Sequence, residues 1–207
     1  MLEAVILAAG KGSRLRRISK ATPKFLANIR GRPLVYYAAS LLESIGVERI
    51  NIVVPGGWVR KAMKMLGRFD FAAEINFIEN YEVDRENGYS FLLARKEIKS
   101  KRFILTMCDH LFSKRTLMRF LQGASEFIGA NVVIGGDRSP RFINVDEATK
   151  ILANRSKKVL KIGKELKKFN YIDMGLFIMR RRVFEIIGDM PYRRYVLKLS
   201  DLITELI

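Results

Sequence analysis

Short, nearly continuous apolar segments alternate with amphipathic ones along the first two thirds of the chain. Five apolar segments have the length and composition of strands buried on both faces of a sheet: residues 4–9, 49–54, 74–79, 103–108 and 131–135. Four segments between them have the spacing of helices: residues 33–45, 59–66, 90–98 and 114–121. This alternation predicts an α/β sandwich with right-handed crossovers.

The pattern changes after Pro140. Three further strands and two helices are predicted there: strands at 149–152, 159–162 and 171–179, and helices at 183–187 and 199–207. There is no internal repeat and no long linker, so we expect a single domain over residues 1–207. No apolar run reaches the ~20 residues that span a bilayer, and the N-terminus lacks the layout of a signal peptide.

Two features of the composition limit the possible functions. One cysteine, Cys108, excludes an intrachain disulfide framework, and one histidine with one cysteine argues against a structural zinc site. The chain is strongly basic, with 38 Lys and Arg against 21 Asp and Glu, a net charge of +17. Residues 150–182 carry 11 of these cations and two acids. The excess predicts either affinity for a polyanion or a solvated, Lys-rich surface of a protein from a hot environment.

The residues after the first predicted strand carry the strongest functional signal. Gly10, Gly12 and Arg14 follow an apolar run directly, and Pro23 and Lys24 come after a short polar stretch. Glycines let backbone N–H groups converge on an anion because no Cβ blocks the approach, and Arg14 and Lys24 add positive charge. The combination predicts a site for a nucleoside triphosphate.

This glycine loop differs from two common nucleotide-binding motifs. Leu15 replaces the third glycine of the dinucleotide fingerprint, and Lys11 lacks the Ser or Thr that ends a P-loop. The remaining pattern, LxxGxGxRL followed by PKxL, resembles the signature of the sugar-phosphate nucleotidyltransferases. The alternative is an ordinary turn between strand and helix with a surface arginine.

Two further segments sharpen the resemblance. Residues 86–90, Glu-Asn-Gly-Tyr-Ser, lie between a predicted strand and a predicted helix, and the glycine-containing turn of the resembled superfamily contacts the nucleobase there. Taken alone, Asn-Gly would indicate only a turn. Asp109 ends the strand at 103–108, so we expect it at the crevice where α/β sheets bind ligands, either holding Mg²⁺ or capping the next turn.

The chain resembles the archaeal CTP:inositol-1-phosphate cytidylyltransferases in particular. Five segments carry this resemblance: NGYS at 87–90, TMCDH at 106–110, RFIN at 141–144, EATK at 147–150 and KIGK at 161–164. Members of this family make CDP-inositol and pyrophosphate from CTP and inositol 1-phosphate. The resemblance covers nearly the whole chain and implies a Rossmann-like three-layer sandwich with a mixed, mostly parallel sheet.

The resemblance also implies roles for individual residues. Those expected to line the nucleotide site are Leu7, Ala8, Ala9, Gly10, Lys11, Gly12, Asn87, Gly88 and Ser90. Arg14 and Lys24 would grip the triphosphate and neutralise the leaving pyrophosphate, and Asp109 would bind Mg²⁺. Those expected around the acceptor are Glu147, Thr149, Lys150, Lys164, Asp173 and Gly175, with Lys164 holding the acceptor's phosphate. Asp137 and Arg141 are further candidates for polyol contacts. Lys150 and Lys164 could instead belong to a solvated face.

Two residues beside Asp109 have different expectations attached to them. His110 either contacts substrate or moves a proton, or it packs and hydrogen-bonds beside the metal ligand. Attack by a phosphate on a triphosphate needs no strong general base, because the attacking group is already anionic. Cys108 lies where many relatives carry glycine, and we expect a small buried residue there rather than a nucleophile.

One feature of the resembled family is absent from this sequence. Members usually continue into a further strand with a second metal-binding acid near a Trp-x-Asp-Val-Asp-like motif, whereas the sole tryptophan here is Trp58 and the sequence ends at Ile207. The expectation is therefore a C-terminally short domain with weaker metal binding and slower turnover. The sequence offers no obvious substitute for the second acid and leaves only Asp173 or Asp201 open as candidates.

The resemblance extends to partners. In bifunctional di-myo-inositol-phosphate phosphate synthases this domain precedes a membrane-embedded CDP-alcohol phosphotransferase. We therefore expect a cytoplasmic protein, peripheral at the membrane, whose partner is either an anionic lipid surface facing residues 150–182 or a separate membrane CDP-alcohol phosphotransferase. A homodimer is a candidate assembly. Nucleic acid is disfavoured because no recognised motif or aromatic stacking platform accompanies the charge.

The sequence thus predicts a Mg²⁺-dependent cytidylyltransferase that joins CTP to inositol 1-phosphate. Within the same class, the alternative is another nucleotide or another acceptor, such as a sugar 1-phosphate or phosphocholine. Outside it, the alternative is a catalytically silent nucleotide-binding homologue, which the missing second acid favours.

Overall fold

A computed structural model describes residues 2–10, 12, 22–141, 143–188 and 195–207. Its strands and helices alternate through the first half of the chain, and strands cluster in the second. In chain order they are β1 (Glu3–Leu7), β2 (Asn28–Ile29), β3 (Arg32–Pro33), α1 (Leu34–Glu43), β4 (Arg49–Pro55), α2 (Val59–Leu66), β5 (Glu74–Asn80), α3 (Glu86–Leu93), β6 (Arg102–Met107), α4 (Lys114–Ala124), β7 (Val132–Asp137), β8 (Lys150–Ala153), β9 (Val159–Gly163), β10 (Tyr171–Arg180), α5 (Val183–Ile187) and α6 (Leu199–Thr204).

Among the described residues, eight strands form the main sheet. Its parallel half has the order β5-β4-β1-β6. β10 pairs antiparallel with β6, β7 and β8, and β8 pairs antiparallel with β9. Six of the eight strands therefore run in one direction, and only β9 and β10 oppose them, which confirms the predicted mixed, mostly parallel sheet. β2 and β3 form a separate two-stranded ladder.

β1 alternates between two apolar layers because successive strand residues point to opposite faces. Ala4 and Ile6 pack in one buried cluster with α1, α2 and α4, whereas Val5 and Leu7 pack in the other with α3, α5 and α6. Both faces of the sheet are thus covered by helices, as a three-layer sandwich requires. This explains why the inner parallel strands β1, β4 and β6 are nearly continuous apolar runs in the sequence.

One predicted helix begins earlier than expected. The sequence pattern predicts a helix over residues 90–98, preceded by a turn over 86–90, whereas α3 begins at Glu86 and residues 94–96 form a 3-10 turn. The chain changes direction at Glu86, whose φ of 70° is unusual for a residue with a side chain. Asn87, Gly88 and Ser90 therefore lie within the helix, so the predicted turn is wrong.

The amino edge of the sheet contains a buried ionic network. Glu3, with none of its surface exposed, accepts hydrogen bonds through Oε2 from the backbone N–H groups of Lys99 at 2.8 Å and Ser100 at 2.5 Å. Arg49 lies 3.9 Å from Glu3 Oε1 and pairs on its other side with Glu97 at 3.6 Å. The network ties β1 and β4 to the segment that enters β6. It lies at the opposite end of these parallel strands from the candidate site, which is at their carboxyl ends (the carboxyl edge of the sheet).

None of the helices in the described part of the chain combines the length and apolar composition needed to cross a bilayer.

Candidate active site

The carboxyl end of β1 leads into the glycine loop. Leu7, Ala8 and Ala9 are buried, and Ala8 N–H donates to the Val53 carbonyl at 2.8 Å, so the chain leaves the sheet in a fixed direction. Gly10 is the first exposed residue after the strand. The predicted loop residues Lys11 and Arg14 lie outside the described residues.

Gly12 brings the loop against the segment that carries Lys24. Its φ is +56°, which favours glycine, and a Cβ built on it would lie 3.0 Å from the Cβ of Lys24. Lys24 itself opens a 3-10 turn, Lys24–Leu26, that is anchored by the buried side chains of Phe25 and Leu26. The two halves of the predicted motif are therefore in contact, as a shared triphosphate site requires.

Lys24 and Asp109 form an ion pair through Lys24 Nζ and Asp109 Oδ2. Asp109 follows β6, the parallel neighbour of β1, so both groups lie at the carboxyl edge of the sheet. His110 Nδ1 lies 3.1 Å from the other carboxylate oxygen, Oδ1. Partial burial alone would raise the pKa of Asp109, but hydrogen bonds and positive charge from His110 and Lys24 outweigh it and hold the pKa well below its usual range. Asp109 is therefore ionised.

β10 brings a second acid to the same edge. Gly175 N–H donates to Asp173 Oδ1 at 2.8 Å, and the Gly175 carbonyl accepts a hydrogen bond from the Thr106 hydroxyl at 3.0 Å. Burial raises the pKa of Asp173 to about 6, although the Gly175 N–H and the nearby His110 oppose the shift. Asp173 and Gly175, predicted to border the acceptor, thus lie beside the Asp109–His110 pair.

Cys108 is structural, as expected. It is 5% exposed, and burial together with the charge of Asp109 raises its pKa to about 12. A thiol with that pKa is not a nucleophile at neutral pH.

The residues predicted on the nucleobase side make contacts within the protein. Asn87 Oδ1 accepts a hydrogen bond from Leu199 N–H at 2.8 Å, and Gly88 N–H donates to the Leu197 carbonyl at 2.9 Å. Ser90 Oγ accepts from Asn80 Nδ2 at 2.9 Å. These contacts fasten α3 to the start of α6 and to the end of β5. A nucleotide-binding role for the three residues stays a prediction.

Two pairs of the predicted acceptor residues are in contact, one within the β8–β9 hairpin and one between the hairpin's β8 side and β10. Lys150 is only 8% exposed, and its ammonium donates to the Lys164 carbonyl at 2.6 Å. The Thr149 carbonyl accepts from Asp173 N–H at 2.9 Å. Lys150 is therefore not part of a solvated face, whereas the side chains of Lys164 and Glu147 are exposed.

Asp137 and Arg141 have less specific positions. Asp137 ends β7, where it pairs with Ile172 and accepts a hydrogen bond from Ser139 N–H at 2.8 Å. Arg141 is exposed in the connection that follows. Asp201, one candidate for the second acid, is engaged at the start of α6, where its carboxylate accepts from Lys198 N–H at 3.0 Å.

Two buried polar residues at this edge, Thr106 and Asn80, are not among those predicted from the sequence. Thr106 ties β6 to Gly175, and Asn80 ties β5 to Ser90. A polar residue inside or at the end of an otherwise continuous apolar strand is the signal that could have revealed both, because a buried polar group needs a partner.

The described residues offer a metal ion few protein ligands. They contain no cluster of three or more His, Cys, Asp or Glu side chains that could hold an ion. Asp109 supplies one ionised carboxylate beside the glycine loop. This suits a hard cation that takes one or two protein carboxylates and completes its shell with phosphate oxygens and water, as Mg²⁺ does.

Known proteins similar in sequence to this chain include transferases. The chain is 33% identical over 199 residues to the bifunctional IPC transferase and DIPP synthase of Aquifex aeolicus, which covers 96% of this chain and 44% of that protein. The protein of the same name from Thermococcus kodakarensis is 36% identical over 183 residues, covering 88% of this chain and 39% of the relative. The chain therefore spans less than half the length of these two relatives.

A solved structure and a family model extend the comparison. The inositol-1-phosphate CTP transferase from T. maritima superimposes with a TM-score of 0.88 at 30% identity, over 99% of this chain and 80% of that chain. These matches confirm the resemblance and the fold class predicted from the sequence. The model of the MobA-like NTP transferase domain matches residues 4–190. The chain belongs to the family of MobA-like NTP transferase domains.

Proposed function

We propose that this chain is a cytidylyltransferase that joins CTP to inositol 1-phosphate and releases pyrophosphate. The observation that carries the proposal is the contact of Lys24 with Asp109 beside the Gly10–Gly12 loop, in a chain whose relatives are named for this reaction. A triphosphate and its metal need three kinds of group in one place: a cationic hydrogen-bond donor, an ionised carboxylate and a glycine-rich backbone.

The glycine loop would hold the triphosphate. The backbone from Leu7 to Gly10 leaves the sheet at its carboxyl edge, where α/β sheets bind ligands. Lys24, about 30% exposed, can turn from Asp109 towards a bound phosphate, and the loop cations Lys11 and Arg14 would add charge. Asn87, Gly88 and Ser90 would border the base.

Asp109 would hold Mg²⁺, which neutralises charge on the phosphates. The reaction itself breaks one bond and forms one: a phosphate oxygen of inositol 1-phosphate bonds to the α-phosphorus of CTP, and the bond from that phosphorus to the bridging oxygen of pyrophosphate breaks. Lys24 stabilises the charge that develops on the pyrophosphate. The attacking oxygen is already anionic, so the protein needs to position and neutralise rather than to remove a proton.

The acceptor would lie at the carboxyl edge, beside the start of β10 and the β8–β9 hairpin that pairs with it. Lys164 is exposed there and free to meet a phosphate, while Lys150 holds the Lys164 backbone in place. Glu147, Thr149, Asp173 and Gly175 would face the hydroxyl groups of the ring. This proposal divides the site into a nucleotide half on β1 and an acceptor half on β10.

The test is pyrophosphate release with Mg²⁺, using four nucleoside triphosphates against inositol 1-phosphate, several sugar 1-phosphates and phosphocholine. Pyrophosphate release that occurs only with the pair CTP and inositol 1-phosphate, and that is lost in Asp109→Asn, would support the proposal. Release with another pair would keep the chemistry and change the substrates. An unchanged rate in Asp109→Asn would remove Asp109 from the site.

A second candidate function is that of a catalytically silent nucleotide-binding homologue. The lack of a cluster of three metal-ligating side chains among the described residues favours it. CTP binding by calorimetry without pyrophosphate release for any acceptor would support this alternative.

The proposed membrane partners depend on the basic segment 150–182. Its exposed lysines on β9 and the preceding turn include Lys157, Lys158 and Lys161, and each cation near an anionic lipid surface contributes up to ~1 kcal/mol. Co-sedimentation with anionic but not neutral vesicles at low salt is the expected result. A separate CDP-alcohol phosphotransferase and a homodimer stay predictions, which co-purification and sedimentation equilibrium test.

A further inference from the structure

The two oxygens of the Asp109 carboxylate have different partners. Oδ2 pairs with the ammonium of Lys24, and Oδ1 lies 3.1 Å from Nδ1 of His110. An ionised carboxylate can only accept hydrogen bonds, so Nδ1 of His110 is the donor. Lys24 reaches its oxygen on a flexible four-carbon stem, whereas His110 follows Asp109 directly in the chain.

The ring of His110 is held from behind by β10. A Cβ on Gly175 would lie 2.8 Å from Cδ2 and 3.0 Å from Nε2 of the ring, closer than side chains approach one another. Gly175 has a φ of +67°, and its backbone is fixed on both sides by Thr106 and Asp173. The imidazole therefore rests on a fixed backbone surface that only glycine leaves open.

We propose that His110, supported by Gly175, is a positioning residue that fixes Oδ1 of Asp109 and so presents Oδ2 as the oxygen for the cation. This rests on the proposed function, since it refines how that site receives its metal. Lys24 pairs with Oδ2 in the structure, and its flexible stem would let the ammonium turn to the phosphates when nucleotide and cation bind. Lys24, the flexible partner of Asp109, would thus be replaced by the cation, whereas His110, the partner supported by Gly175, would stay in place.

Variants at His110 separate this role from packing. His110→Asn retains an N–H donor at the position of Nδ1, because the Asn amide nitrogen lies the same number of bonds from the backbone. His110→Phe retains a ring of similar size but has no donor. A residue that only packs would tolerate Phe better than Asn, whereas a residue that orients Asp109 would tolerate Asn better than Phe.

A variant of Gly175 tests the support independently. Gly175→Ala would push the ring away from Asp109 without changing any hydrogen-bonding side chain. Gly123→Ala in α4 is the matched control, because nothing lies within 4 Å of the Cβ it would add. Thermal unfolding of all four variants separates loss of orientation from loss of fold.

The readout is CTP affinity by calorimetry, with Mg²⁺ and in excess chelator. In the wild type we expect Mg²⁺ to tighten CTP binding. In His110→Phe and Gly175→Ala this metal-dependent gain should fall about tenfold or more, as expected for one hydrogen bond to a charged group, while affinity in chelator is unchanged. His110→Asn and Gly123→Ala should retain the gain.

Activity supplies a second readout and separates the two proposals. The Mg²⁺ concentration for half-maximal pyrophosphate release should rise in His110→Phe, with kcat largely restored at saturating Mg²⁺. Equal metal-dependent gains in His110→Phe and the wild type, or no gain in the wild type, would overturn the role of His110. No pyrophosphate release by a wild type that shows the gain would overturn the proposed reaction and leave the role of His110 standing.

Discussion

Gly88 gives the clearest test of how α3 is joined to the C-terminal segment. Substitution by alanine would place a Cβ 2.6 Å from the Leu197 carbonyl oxygen and 2.7 Å from that of Lys198. Both obstacles are backbone atoms, so neither can rotate aside. The added methyl must separate α3 from residues 197–199 or distort the helix.

The expected cost follows from two terms. Overpacking against a fixed neighbour costs about 1–3 kcal/mol. The 2.9 Å hydrogen bond from Gly88 N–H to Leu197 would be weakened as the segments part, at about 0.5–1.5 kcal/mol. We therefore expect Gly88→Ala to lower the free energy of unfolding by about 1.5–4.5 kcal/mol.

Urea denaturation of ligand-free protein measures this directly, and Gly123→Ala is again the matched control. Both glycines lie within helices, but a Cβ at Gly123 meets open space. Alanine is the better helix former by up to about 1 kcal/mol, so Gly123→Ala should be neutral or stabilising. If Gly88→Ala unfolds at the same urea concentration as Gly123→Ala, the close packing of α3 on Leu197 is refuted.

Three further predictions concern the site and the amino edge. Lys24→Ala should lower turnover by about 10²–10³-fold with little loss of stability, because its ion pair is about a third exposed; normal turnover, or an equal loss in the exposed-lysine control Lys161→Ala, would contradict this. Cys108 should react with a thiol reagent far more slowly in folded than in urea-unfolded protein, because burial raises its pKa to about 12; equal rates would contradict its burial. Glu3→Ala should lower the free energy of unfolding by about 3–5 kcal/mol, since it leaves Arg49 without its fully buried partner; a urea midpoint like that of the wild type would show that Glu74 and Glu97 together compensate Arg49.

The local patterns in the sequence were sufficient for the parallel half of the fold. The strands β1, β4 and β6 are largely buried on both faces, so they appear as continuous apolar runs with helices between them, whereas the edge strand β5 is mostly half-buried and carries polar residues within its apolar pattern. A residue that follows such a run lies at the carboxyl edge, so the sequence predicts the position of Asp109 after β6. The contact between Gly12 and Lys24 also fits their short separation in the chain.

Contacts between distant parts of the chain could not be predicted. Asn87 bonds to Leu199, 112 residues away, so the Asn-Gly pair belongs to a helix docked on the C-terminal segment although its composition indicates a turn. Lys150 appears in the sequence as one cation in a basic run, yet the hairpin buries it against the Lys164 carbonyl. Residue type and spacing carry no information about such partners, because the packing of α3 on α6 decides the first and the pairing of β8 with β9 decides the second.

β10 is the element that makes these separate features one site. Its register places Leu176 opposite Thr106 of β6, so Gly175 and Asp173 extend past the end of β6 towards Asp109 and His110. The same strand pairs Tyr171 and its neighbour with β8, which carries the acceptor hairpin. A strand parallel to β6 would reach the carboxyl edge of the sheet only with its last residues. Because β10 is antiparallel, its first residues lie at this edge, and its backbone at Gly175 can support the His110 ring. The direction of β10 thus couples the orientation of Asp109 to the position of the hairpin, and a change that loosens the β8–β10 pairing should weaken both.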